Sequence, residues 1–245
     1  MRIVGVIPAR LGSTRLPGKV LADLAGRPMV VRVLERARAA RRLADVVVAT
    51  DDARVVAAIE AVGGRALLTS PGCRNGTERV AEAALALGAD AYVNVQGDEP
   101  LVPPEAIDRV AAALEAGAPL ATLARPLLPG EAGASQVVKV VLGRPEPRGA
   151  PALYFSRSLV PFPRAPGEVA PLAHVGVYGY SAEALRALAA LPETALERAE
   201  GLEQLRALWH GMTFWTSVGD YASQAVDTPA DLERARALWR PPSPV

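Results

Sequence analysis

Cysteine is almost absent: Cys73 stands alone in 245 residues, which excludes an intrachain disulfide, a cysteine-rich zinc site and a thiol redox pair, and suits a reducing compartment. Net charge is almost absent too. With 27 basic and 26 acidic residues the formal balance is +1, so neither nucleic acid nor a membrane surface is indicated as partner. Long apolar runs are missing, because Arg, Asp or Glu interrupts every extended Ala/Leu/Val stretch before the roughly 18 residues that a membrane-crossing helix needs. The opening run at 1–8 is too short for a secretory signal and reads as a strand. A cytoplasmic protein is expected. Lysine is scarce as well, Lys19 and Lys139 being the only two, which makes each one conspicuous.

What is present is an ordinary globular balance, with half of the residues hydrophobic and 22% charged, so the chain as a whole is not disordered. Short β-branched runs at 2–8, 45–50, 65–69 and 91–96 alternate with amphipathic segments near 28–40, 52–62, 77–87 and 104–116. That alternation predicts an α/β fold with a predominantly parallel central sheet and helices on both faces. Pro28 suits a first helical turn, Asp52 and Thr77 suit helix starts, and Gly63-Gly64 and Gly88 suit helix ends. A strand is expected at 119–125, followed by an insertion-like region at about 126–170, rich in Pro and Gly around strand-like runs at 137–142 and 151–155. Beyond it lie a strand at 174–180, helices near 181–190 and 195–208, a strand at 213–217 and a final helix opening at Pro229. No internal repeat is present, and a single domain over 1–245 is the simplest organisation.

Ligands of open α/β sheets bind beyond the carboxyl ends of the strands. After the first strand, residues 9–19 carry two glycines, two hydroxyls and the cations Arg10, Arg15 and Lys19, a composition that can turn N–H groups and positive charge onto a polyphosphate. A P-loop is excluded, because five residues separate Gly12 from Gly18 and Val20 follows Lys19. The glycine fingerprint of a dinucleotide site is also missing. After the strand at 91–95 comes Gln96-Gly97-Asp98-Glu99-Pro100. Asp98 is placed where a carboxylate would hold Mg²⁺ against a nucleotide, although Gly97-Asp98 equally suits a tight turn. Glu99 reads as solvent-facing or structural. Asp227 offers a second carboxylate for the same metal, or else a favourable charge at the start of the last helix, where Thr228 reads as the N-cap. Residues 73–79 join a strand to a helix with polar groups able to meet a base edge, Gly76 permitting close approach and Thr77 suiting a helix cap. His174 and Tyr178 share one face of their strand, where they could meet a polyol or satisfy the core. His210 reads as a C-terminal cap, and neither a zinc cluster nor a G-x-S-x-G elbow occurs.

Nine segments in order, among them IPARLGSTRLPGK at 7–19, NGTERVAE at 75–82, VNVQGDEPLVP at 93–103, ALYFSRSLVPF at 152–162, HVGVYGY at 174–180 and VDTPADLERAR at 226–236, resemble the 3-deoxy-manno-octulosonate cytidylyltransferase family. The resemblance spans nearly the whole chain. It implies a Rossmann-like nucleotidyltransferase fold with a smaller inserted region for dimerisation and sugar binding, a homodimer, and Mg²⁺ as cofactor. The implied reaction is CTP + Kdo → CMP-Kdo + pyrophosphate, a step of lipopolysaccharide synthesis. Carried over by position, Arg10, Ser13, Arg15 and Lys19 would grip the triphosphate, with Arg15 and Lys19 stabilising the departing pyrophosphate. Asn75, Gly76 and Arg79 would read cytosine, and Asp98 and Asp227 would hold Mg²⁺. Gln96, Arg157, His174, Tyr178, Glu203 and Gln204 would line the sugar pocket, Arg157 suiting its carboxylate. The sequence departs from the family at Cys73 and Asn75, where His and Ser are usual.

Overall fold

The structure is a computed structural model that describes residues 1–12, 16–164, 167, 169–221, 223 and 225–242. In chain order it contains β1 (Ile3–Ala9), β2 (Asp23–Leu24), β3 (Arg27–Pro28), α1 (Met29–Arg38), β4 (Asp45–Thr50), α2 (Ala53–Glu60), β5 (Arg65–Leu68), α3 (Gly76–Leu87), β6 (Ala91–Val95), α4 (Pro104–Glu115) and β7 (Leu120–Pro126). There follow β8 (Lys139–Leu142), β9 (Ala150–Ser156), β10 (Leu172–Ser181), α5 (Ala182–Ala190), α6 (Ala195–Glu200), α7 (Gln204–Trp209), β11 (Phe214–Val218) and α8 (Pro229–Leu238).

All strands but β2 and β3 join one sheet in the order β5-β4-β1-β6-β10-β7-β11-β9-β8. Strand side chains alternate between faces, and here both faces are covered. Ile3 and Ile7 of β1 pack with Val30 and Leu34 of α1, Ile59 of α2 and Ile107 and Val110 of α4. Val4 and Val6 pack on the opposite side with Val80 of α3, Leu185 of α5 and Leu205 of α7. This is why β1 is apolar at nearly every position instead of alternating with polar residues.

The sheet is mixed, which corrects the expectation of a predominantly parallel one. Pairings β4–β5, β1–β4, β1–β6 and β7–β11 are parallel, whereas β10 runs antiparallel to β6, β7 and β8, and β9 antiparallel to β8 and β11. Alternating strand and helix is a local signal, and it holds through β7. The strand that enters beside β6 is β10, which arrives from the second half of the chain. Strands β8 and β9, from the Pro- and Gly-rich region, continue the same sheet as its far edge.

Three helix boundaries differ from expectation. Pro28 pairs with Asp23 in the β2–β3 hairpin, so α1 starts one residue later. Asn75, not Thr77, caps α3, its side chain accepting from the Glu78 N–H at 2.9 Å. The single helix expected at 195–208 is two. α6 opens with a reciprocal capping box of Thr194 and Glu197 and ends at Gly201, whose φ of 61° lies in the left-handed region.

A third apolar cluster fixes α8. Leu232, Ala235 and Trp239 pack with Leu24, Met29 and Val226, and the guanidinium carbons of Arg32 and Arg36 each stand 4.9 Å from the centre of the Trp239 ring. The last helix is thereby held against the hairpin that follows the first loop.

Candidate active site

Strands β1 and β6 are parallel neighbours, so the loops leaving their carboxyl ends emerge side by side. A Cβ at Gly97 would lie 2.7 Å from the Pro8 carbonyl oxygen; glycine lets the two loops meet. Leu16-Pro17-Gly18-Lys19 turns the first loop back, with the Lys19 N–H donating to the Leu16 carbonyl at 3.1 Å and Gly18 at φ 68°, the pattern of a Pro-Gly turn. The backbone N–H of Val226 donates to the Asp98 carbonyl at 2.8 Å, which draws the entry to α8 onto the same loop.

These connections bring Lys19, Asp98 and Asp227 together from three distant parts of the chain. The Lys19 ammonium donates to Asp98 Oδ2 at 2.6 Å and to Asp227 Oδ1 at 2.9 Å. Burial by itself would lower the Lys19 pKa, but the charges and hydrogen bonds of Asp98 and Asp227 outweigh it and hold the pKa above the ordinary lysine value. Two carboxylates converging on one cation are hard oxygen donors of the kind that divalent Mg²⁺ takes, so the residues present fit such an ion.

Glu99 is buried, not solvent-facing. It accepts from Ser223 Oγ at 2.5 Å, and burial pushes its carboxyl up to about 7. Gly176 makes room for it, since a Cβ there would stand 2.9 Å from Glu99 Oε1.

The loop before α3 is held largely by that helix. Because the Asn75 side-chain oxygen caps α3, it is already engaged by an N–H of the helix. Glu78 accepts from the Arg74 backbone N–H and guanidinium, both at 2.9 Å. Cys73 donates to Glu82 at 3.0 Å, and burial together with that carboxylate pushes the thiol up to about 11, keeping it protonated. Arg79 is 2% exposed and reaches Asp51 at 3.0 Å and Thr69 at 2.6 Å.

On β10, His174 Nε2 lies 2.9 Å from Thr122 Oγ1, and its ring stands edge-on to Phe155 at 4.9 Å between centroids. Burial lowers its pKa to about 3, so the ring is neutral. Tyr178 donates to Gln204 Oε1 at 3.5 Å, while the buried Gln204 Nε2 has no partner among the described residues. Glu203 accepts from Thr77 Oγ1 at 3.0 Å. Arg157 is clamped through its guanidinium to the carbonyls of Glu200 at 2.6 Å, Ser135 at 3.0 Å and Gly201 at 3.3 Å.

One open cleft of about 650 Å³ takes in Arg10, Lys19, Asn75, Gly76, Arg79, Gln96, Asp98, Glu203 and Asp227. A side pocket of only about 10 Å³, room for about one water, shares Asn75 and Glu203 with it and adds Thr77, Tyr178 and Gln204. Arg157 and His174 border neither, though His174 touches Tyr178, with ring centres 5.3 Å apart. Ser13 and Arg15, read as triphosphate ligands, lie outside the described residues. Asp51, which anchors Arg79, is a site-side residue that the sequence reading misses, although it directly follows the carboxyl end of β4. Glu200, which accepts from the Arg157 N–H at 2.9 Å, gives no local signal at all.

The sequence profile of the cytidylyltransferase family matches residues 4–214. The chain is 54% identical to 3-deoxy-manno-octulosonate cytidylyltransferase of Anaeromyxobacter dehalogenans (strain 2CP-C), over 97% of this chain and 98% of that one. It is 42% identical to the Escherichia coli protein of the same name, over 97% and 96% respectively. A solved CMP:2-keto-3-deoxy-manno-octonic acid synthetase in complex with CTP superposes with a TM-score of 0.91 at 42% identity, covering 97% of this chain and 98% of that chain. A Leptospira borgpetersenii cytidylyltransferase at 17% identity and a TM-score of 0.64 shares the fold. From its first strand to its eleventh, then, this chain belongs to the cytidylyltransferase family.

Proposed function

We propose that the chain transfers the cytidylyl group of CTP to the anomeric hydroxyl of Kdo, giving CMP-Kdo and pyrophosphate, the activated acidic sugar used in lipopolysaccharide synthesis. The observation that carries this reading is the convergence of Lys19, Asp98 and Asp227 at the cleft, in a chain that superposes so fully on a synthetase solved with CTP. No helix among the described residues is long and apolar enough to cross a membrane, and we place the enzyme in the cytoplasm, where CTP is available.

Arg10 and Lys19 supply positive charge where the triphosphate would lie, and Lys19 is kept charged by the two aspartates. That charge favours the pyrophosphate as it leaves. Asp98 and Asp227 are the residues that would hold Mg²⁺. A bound Mg²⁺ neutralises phosphate charge and makes the acceptor hydroxyl more acidic. Gln96, Tyr178, Glu203 and Gln204 offer donors and acceptors for a polyol, and Gln204 Nε2 is a buried donor without a partner among the described residues, the kind of group a ligand oxygen satisfies. The homodimer is part of the same proposal, supported by the exposed apolar side chain of Leu153 on β9, next to the last strand in the sheet order.

The test is pyrophosphate release by the purified protein with Mg²⁺, Kdo and each of CTP, UTP, ATP and GTP, repeated with sialic acid as acceptor. Release that requires both CTP and Kdo is expected. Release with a different pair would change the substrates, and none from folded protein would refute the reading. Sedimentation of the same sample gives the oligomeric state.

A further inference from the structure

Thr77 suits a helix cap by sequence, yet the cap of α3 is Asn75. The Thr77 hydroxyl is therefore free for another task, and it donates to Glu203 Oε2 at 3.0 Å, across 126 positions of sequence. Its oxygen also lies 3.4 Å from the Tyr180 hydroxyl. Glu203 stands where the large cleft and the small pocket meet, bordering both. It precedes Gln204, whose amide nitrogen is buried with no partner among the described residues. The neighbouring residue, Glu78, makes a second tie between the same two elements: its Oε1 lies 3.8 Å from Arg206, which grips Glu197 with contacts of 2.6 and 2.8 Å.

We infer that Thr77 is a positioning residue for the acceptor: its hydroxyl fixes the carboxylate of Glu203 at the junction of the two cavities, aimed at the sugar hydroxyls. The inference rests on the acceptor being a polyol acid, as proposed above. An unfixed carboxylate would rotate, and each hydrogen bond it made to a polyol would carry the entropy of ordering it. The placement also joins the two halves of the site. Thr77 lies in the first turn of the helix whose preceding loop borders the nucleotide cleft, so the contact ties the base-side loop to the acceptor side.

Burial is the largest influence on Glu203 and disfavours its charged form; the Thr77 hydroxyl and, after it, the Thr77 backbone N–H favour that form, with Glu197 opposing and Arg206 assisting. That supplies a readout independent of turnover. The variants are Thr77→Val, which keeps the shape and the backbone N–H but removes the hydroxyl donor, and Thr77→Ser, which keeps both donors. The ties from Glu78 and Arg206 remain in both, so the fold is expected to persist, as checked by thermal unfolding.

In Thr77→Val the KM for Kdo should rise about tenfold, the effect of losing a hydrogen bond to a charged group, with the KM for CTP within about twofold of wild type. Thr77→Ser should restore the acceptor KM. In substrate-free protein, carbon-13 NMR of the Glu203 carboxyl should show a higher titration midpoint in Thr77→Val and the wild-type midpoint in Thr77→Ser. An unchanged acceptor KM in Thr77→Val, an equal rise for CTP, or failure of serine to rescue would each overturn the inference, as would an unmoved Glu203 midpoint. Wild-type protein that releases pyrophosphate only with another acidic sugar would refute the Kdo assignment instead, and the same three-protein comparison with that sugar would then decide for or against Thr77.

Discussion

At the scale of single residues, the organising feature is one ammonium between two carboxylates. Lys19 meets Asp98 and Asp227 at 2.6 and 2.9 Å, and each of the three has a separable consequence. Asp98→Asn is expected to lower turnover by about 100-fold or more, with the unfolding midpoint little changed, because it removes charge from the reaction and not from the core. Steady-state kinetics beside a thermal melt checks this, and wild-type turnover in the variant would remove Asp98 from the mechanism. Lys19→Met should do two things at once. It should weaken CTP binding, and in the absence of nucleotide it should strengthen binding of a divalent cation, since two aspartates lose the positive charge between them. Mn²⁺ titration followed by electron paramagnetic resonance measures the second effect, and equal Mn²⁺ affinity in variant and wild type would contradict it.

Among the secondary-structure elements, α3 has the most to do with the site. Its N-terminus faces the cleft, its cap is Asn75 and its first turn carries Thr77 and Glu78. Asn75→Ala should cost about 1 kcal/mol of stability, the usual effect of losing an N-cap oxygen. A urea unfolding curve would show this as a lower midpoint at unchanged slope. Asn75→Ser, which restores the residue usual in the family and can also cap, should recover the midpoint; a serine variant as unstable as the alanine one would show that capping is not the role of Asn75. The break between α6 and α7 matters for the same reason. Continued as one helix through Gly201, the segment would carry Glu203 and Gln204 elsewhere on its surface. Gly201, at φ 61°, ends α6, and α7 begins separately at Gln204.

For the whole molecule, folding buries ionisable groups whose pH behaviour can be worked out. His174 titrates near 3 in the fold, against an ordinary value near 6.5. Above about pH 6.5 it is neutral in both folded and unfolded chains and leaves stability level. Below that the unfolded chain takes up a proton that the folded one refuses, so stability falls by up to about 1.4 kcal/mol per pH unit down to the folded pKa. His174→Gln should flatten this acid limb between pH 6 and 4 in urea unfolding, and an equally steep limb would show that His174 is not its source. The sequence by itself determined the α/β class, the strands and helices of the first half and the loops that carry the chemistry, because hydrophobic periodicity, turn residues and caps are local properties that survive in one dimension. Arg10, Lys19, Gln96 and Asp98 were legible for that reason: each follows a strand, where such folds place their ligands. Only the tertiary structure decided that β10 enters the sheet beside β6, that Thr77 serves Glu203 while Asn75 does the capping, that Arg79 leans on Asp51, and that Asp227 comes round to Lys19. Those outcomes depend on which distant surfaces bury one another, as Trp239 does against Leu24 and Met29, and a contact of that kind leaves no spacing in the chain from which it can be read.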